Sequence, residues 1–126
     1  MKKIEYPLFF NSYDDLENWL DENGFECRGC RIFDTADWKY KDEQGFEHLI
    51  RNGIELTKGI KAKYIYSFRN YDWCYVDEQG FHHLYRDGVE LTKGVKVVSF
   101  FPYDDGDWYY TDNMGNNHRL NSNKIN

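Results

Sequence analysis

Residues 37–61 read DWKYKDEQGFEHLIRNGIELTKGIK, and residues 72–96 read DWCYVDEQGFHHLYRDGVELTKGVK. A shorter copy, DWYYTDNMGNNHRL, occupies residues 107–120. Trp38, Trp73 and Trp108 set the period at 35 residues. A fixed period of this length marks a repeat architecture, in which each supersecondary block needs its neighbour to bury an apolar face.

Turn chemistry inside each copy separates strand from helix. Asp42 and Gly45 occupy the first and fourth places of a type I turn closed by a left-handed glycine, and Asn52-Gly53 and Asp87-Gly88 are two-residue hairpin signals. Strands are therefore expected over Trp38 to Lys41, Phe46 to Arg51 and Ile54 to Thr57, followed by a longer one over Ile60 to Phe68. Alternation puts Trp38, Tyr40 and Asp42 on one side of their strand, and likewise Trp73, Tyr75 and Asp77, then Trp108, Tyr110 and Asp112. That side is expected to be buried between units. The other side carries Lys39 and Lys41, then Cys74 and Val76, then Tyr109 and Thr111, and reads as free to vary.

Outward from this core, Gly24 precedes Trp38 by the same distance as Gly59 precedes Trp73 and Gly94 precedes Trp108. The array should begin at Gly24, with Phe25 to Phe33 a diverged copy of Ile60 to Phe68. Before it, Ser12 is an N-cap, Asp14, Asp15 and Glu17 suit the positive end of a helix dipole, and Tyr13, Leu16, Trp19 and Leu20 form one apolar stripe. Asn23 and Gly24 end this helix. Ile4 to Phe10 reads as a strand preceding it. The expected fold class is mostly β: tandem 35-residue antiparallel β repeats with one N-terminal capping helix. A single domain is expected over residues 1–126, with a strand plus capping helix in 1–23 and the repeat array in 24–126, its last repeat truncated. An incomplete last repeat leaves an open β edge through which two copies can pair as a homodimer.

The recurring W-x-Y-x-D-x-x-G, preceded at a fixed distance by G-(I/V)-K and an alternating strand, resembles the WG-type bacterial repeat. Gly59, Trp73, Tyr75, Asp77 and Gly80 match that pattern, and Gly94, Trp108, Tyr110, Asp112 and Gly115 match it again. The family's glycine after the tryptophan is missing, its place taken by Lys39, Cys74 and Tyr109. The resemblance implies a β-rich, non-catalytic module.

With a net charge of −6 and a pI near 5.1, direct binding of nucleic acid or of an anionic membrane is not expected, because phosphate binding needs clustered Lys and Arg. A protein partner with a basic surface is. The N-terminal MKKIEYPLFF lacks the pattern of a signal peptide or a membrane span. Three cysteines are an odd number, so Cys27 and Cys30 read as ordinary reduced thiols and the location as cytoplasmic. His48, His83 and His118 and the periodic aspartates read as structural columns, leaving no expected catalytic residue, metal or cofactor. The expected binding residues are Asp14, Asp15, Glu17, Asp21 and Glu22 on the helix, with Phe100, Phe101, Tyr103, Asp104 and Asp105 in the last strand and turn. The functional expectation is a non-catalytic inhibitor of a basic protein that handles nucleic acid or acts as a toxin, of the immunity or phage anti-defence, including anti-CRISPR, kind. The alternative is carbohydrate or cell-wall ligand binding through exposed Trp and Tyr platforms.

Overall fold

The computed structural model describes residues 4–102 and 107–120, apart from the Pro102 side chain. The described residues are mostly β, with two antiparallel sheets and one helix. The helix is α1 (Tyr13–Glu22). A first meander contains β1 (Arg31–Ile32), β2 (Trp38–Lys41), β3 (Glu47–Arg51) and β4 (Ile54–Glu55). A second contains β5 (Tyr64–Ser67), β6 (Trp73–Val76), β7 (His82–Arg86) and β8 (Val89–Glu90), and a third β9 (Val97–Pro102), β10 (Trp108–Asp112) and β11 (Asn117–Leu120). The first meander is a four-stranded sheet in chain order; the other two share a seven-stranded sheet ordered β11-β10-β9-β7-β6-β5, with β8 on β7.

Registers recur at the sequence period. Trp38 faces Ile50, Trp73 faces Tyr85 and Trp108 faces Leu120; Arg31 faces Lys39, Tyr66 faces Cys74 and Phe101 faces Tyr109. The links between meanders recur too. β7 meets β9 at the single pair His82↔Val97, and the isolated bridge Glu47↔Ala62 lies 35 residues earlier. In all three turns the glycine N–H donates to the aspartate carbonyl three residues back, at Asp42, Asp77 and Asp112, while Oδ1 of the same aspartate accepts two further backbone N–H groups.

Stacking follows from the two sides of each meander. Trp73 and Ile65 of the second pack with Phe33 and Leu49 of the first; Trp108 and Phe100 of the third pack with Cys74 and Leu84 of the second. The Trp38 side of the first meander is covered instead by Leu16 and Leu20 of α1, both fully buried. Each of these leucines contributes about 1.5–3 kcal/mol by leaving water. The helix forms where its caps place it: Ser12 Oγ accepts from the Asp15 N–H at 3.2 Å, and Gly24 follows with φ of +81°.

Three expectations need correction. Ile4 to Phe10 joins no ladder. Pro7 lacks an N–H to donate, and the segment is held by its rings, Tyr6 and Phe10 lying 5.8 and 4.8 Å from the Trp38 ring. Its backbone runs so close to the β3–β4 turn that a Cβ on Gly53 would stand 3.1 Å from the Tyr6 carbonyl oxygen. Secondly, only Arg31–Ile32 of Phe25 to Phe33 forms a strand. The chain reverses at Gly29 (φ +64°), and Cys27 and Cys30, 5.2 Å apart at Cα, are joined as a disulfide rather than left as thiols. Thirdly, Lys39, placed by alternation on a freely varying side, is buried together with Glu47. The second meander lies over that side.

Candidate functional site

The candidate site begins with α1. Asp14, Glu17 and Asp21 follow one another along a helical row, with Asp15 and Glu22 beside them, while Leu16 and Leu20 turn inward. All five carboxylates are exposed, and none is in an ion pair among the described residues. Tyr13 opens the helix 51% exposed, and Leu8 and Phe9, just before it in the chain, are 63% and 59% exposed. The sequence does not mark Leu8 or Tyr13 as surface groups. A strand over Ile4 to Phe10 would bury one of its sides, and the helical stripe counts Tyr13 among its inward residues.

Of the second part of the expected site, Phe100 does not pack with the helix. Phe100 is half-buried, its ring 5.9 Å from Trp108 and 5.6 Å from His82, so it belongs to the packing of the third meander on the second. Phe101 is 57% exposed. Tyr103, Asp104 and Asp105 lie outside the described residues. The helix and Phe100 belong to separate hydrophobic clusters that share no member.

The periodic aspartates are used internally. Asp37 accepts from Arg51 of its own meander and, at 2.7 Å, from Ser67 Oγ of the next; Asp72 accepts from Arg86 and, at 2.7 Å, from Trp108 Nε1 of the next. In the third meander Arg119 holds Asp107. The buried Nε1 of Trp38 has no partner among the described residues.

Two of the three periodic histidines are equally closed, while His118 is more exposed and meets Asp112 through Nε2. His48 Nε2 meets Asp42 Oδ2 at 2.8 Å and Nδ1 meets Glu55 Oε2 at 2.9 Å, while the ring stacks on Tyr40 at 4.9 Å. His83 repeats this with Asp77, Glu90 and Tyr75. Burial alone would push the His48 pKa down, but hydrogen bonds to Glu55 and Asp42 outweigh it and hold the pKa above the ordinary histidine value. Both ring nitrogens are engaged, so the ring clamps the β2–β3 turn to β4. Among the described residues no group of three or more His, Cys, Asp or Glu side chains is arranged to hold a metal ion.

Where the second meander covers the first, Lys39 Nζ donates to Glu47 Oε1 and to the Ile65 carbonyl, each at 2.9 Å, and the Ile65 N–H donates to Glu47 Oε1 at 2.7 Å. Burial pushes the Lys39 pKa down, against the pull of Glu47. Cys74, the equivalent of Lys39, is a buried thiol pushed up to about 12 by desolvation. No described helix is long and apolar enough to cross a membrane. No protein-family model matches the chain, and no curated protein matches it in sequence.

Proposed function

We propose that this chain is a non-catalytic protein-binding module whose α1 face engages a protein with a basic surface. The observation that carries the reading is a contrast in how acid is used. Asp37, Asp42, Asp72, Asp77, Asp107 and Asp112 are held by Arg, Ser, Trp or His side chains, whereas the five carboxylates of α1 are in no ion pair among the described residues. Charge of this kind steers association with a cationic surface, and Tyr13, Phe9 and Leu8, adjoining it in the chain, supply apolar area for an anchor. In this reading the meanders are tandem copies of one 35-residue unit, and α1 caps the first of them. Blocking a toxin or a nucleic-acid-handling protein, as immunity or phage anti-defence proteins do, is the role such a surface suits.

Stacking of sugars on the repeat tryptophans finds no support, because Trp38, Trp73 and Trp108 are buried. The test is a tagged-protein capture from host lysate at low and moderate salt, beside a variant carrying Asp14→Lys, Glu17→Lys and Asp21→Lys. A stoichiometric basic protein that is lost in the variant supports the proposal; an equal recovery with both proteins, or no protein at all, refutes it.

A further inference from the structure

Five of the six arginines are held by a carboxylate: Arg28 by Glu26, Arg51 by Asp37, Arg69 by Asp34, Arg86 by Asp72 and Arg119 by Asp107. Arg31 is the exception among the described residues. It occupies the position filled one and two periods later by the rings of Tyr66 and Phe101. Its guanidinium carbon lies 4.9 Å from the centroid of Phe33 and 5.0 Å from that of Tyr66, so rings from two meanders hold it in place.

The arginine borders a groove of about 400 Å³ where the second meander meets the first, lined also by Thr35, Tyr66, Ser67, Phe68 and Arg69. The Ser67 hydroxyl donates to Asp37, which leaves the Thr35 hydroxyl to donate to Ser67, so both are spoken for. Among the described residues Arg69 is committed only to Asp34, through a pair whose side chains are 90% and 71% exposed. Such a pair is weak and exchangeable. The groove's lining carries two arginines, Arg31 and Arg69, and one carboxylate, Asp34, a surplus of positive charge on a chain whose net charge is −6.

We propose that this groove binds an oxyanion, a carboxylate or a phosphoryl group, with Arg31 as its anchor and Arg69 as its second arm. A guanidinium presents a planar fork that matches two oxygens of either group. Held against two rings, it loses less side-chain freedom on binding than an unsupported arginine would. None of the residues lining the groove belongs to α1.

Nitrogen-15 spectra that resolve the arginine Nε–H groups test this, with inorganic phosphate and succinate titrated separately at constant ionic strength. At least one should give saturable shifts at Arg31, at Arg69 and at the amides of residues 31–35 and 66–69, with a dissociation constant on the order of 1 mM. Which anion saturates distinguishes phosphoryl from carboxylate. Arg31→Gln should weaken binding by about tenfold or more and Arg31→Lys by less, whereas Arg28→Gln should leave it unchanged. Shifts that stay linear for both anions, fall equally on Arg28 or persist undiminished in Arg31→Gln would overturn the proposal. Should Arg31→Gln not fold, saturation in the unmodified protein together with weaker saturation in Arg31→Lys supports the site, and equal saturation in both refutes it.

Discussion

The two places where one meander lies on another share a backbone geometry and differ in chemistry. At the first, Ile65 of β5 lies over Lys39 and Glu47; at the second, Phe100 of β9 packs with Cys74 and His82. The bridges Glu47↔Ala62 and His82↔Val97 are equivalent, and so are the leucines beneath, Leu49 and Leu84. The strand bridge and the Trp-on-Leu packing therefore define the stack, and the centre of each interface accepts either an ion pair or rings. The polar version adds something the apolar one lacks. Glu47 and Lys39 take up the outward N–H and C=O of Ile65 on β5, which ends the seven-stranded sheet. An edge strand left with open backbone groups is a site for unwanted pairing.

The largest difference between the interfaces should appear in Glu47→Ala, which strands a buried ammonium and the Ile65 N–H. It should cost about 3–5 kcal/mol in chemical denaturation. Next comes Trp108→Phe, which removes the bond to Asp72 from the apolar interface and should cost about 1.5–3 kcal/mol. Trp38→Phe should cost less by the same assay, since the Trp38 Nε1 has no partner to lose among the described residues. Grafting the second interface onto the first, by Lys39→Cys with Glu47→His, removes both charges together. The loss should then fall to about 1–2 kcal/mol, because only the Ile65 N–H and C=O, on an edge strand, are left to find new partners. A double variant as unstable as Glu47→Ala would show that the two interfaces are not interchangeable.

A pH scan of stability isolates a smaller contribution, that of the clamps. The His48 pKa is raised on folding, so its contribution is complete below its unfolded value near 6.5 and is lost as pH rises through the folded value. Asp42 and Glu55 run the other way: burial alone would raise them, hydrogen bonds from His48 hold them down, and their contribution is lost as pH falls below their ordinary 3.8 and 4.5. Stability from this clamp should peak between about pH 4.5 and 6.5, and His48→Gln should flatten that peak.

Much of this architecture is legible in local chemistry. Asn52-Gly53 and Asp87-Gly88 adopt the positive φ that their hairpins need, and Ser12 and Gly24 bound the helix as their chemistry requires. What alternation along a strand does not supply is what lies on top of it. Lys39 reads as a solvated strand residue because the Ile65 backbone that it and Glu47 meet is 26 and 18 residues away and has no side-chain signature. The acidic helix is legible as charge. Leu8 is not legible as exposed, since a run of apolar residues reads as a strand with one buried side whether or not a neighbour pairs with it. The disulfide between Cys27 and Cys30 depends on the reversal at Gly29, and it removes the thiol argument for a reducing location.

Each meander seals the one before it, and the Trp108 indole crosses that boundary to Asp72. The decisive measurement is the exchange rate and chemical shift of the indole N–H, read by nitrogen-15 spectroscopy with and without Asp72→Asn. A slowly exchanging Trp108 N–H that shifts strongly in Asp72→Asn is expected, while the Trp38 N–H does not respond. A Trp108 N–H that exchanges like a free indole, or that ignores Asp72→Asn, would be incompatible with a sealed boundary.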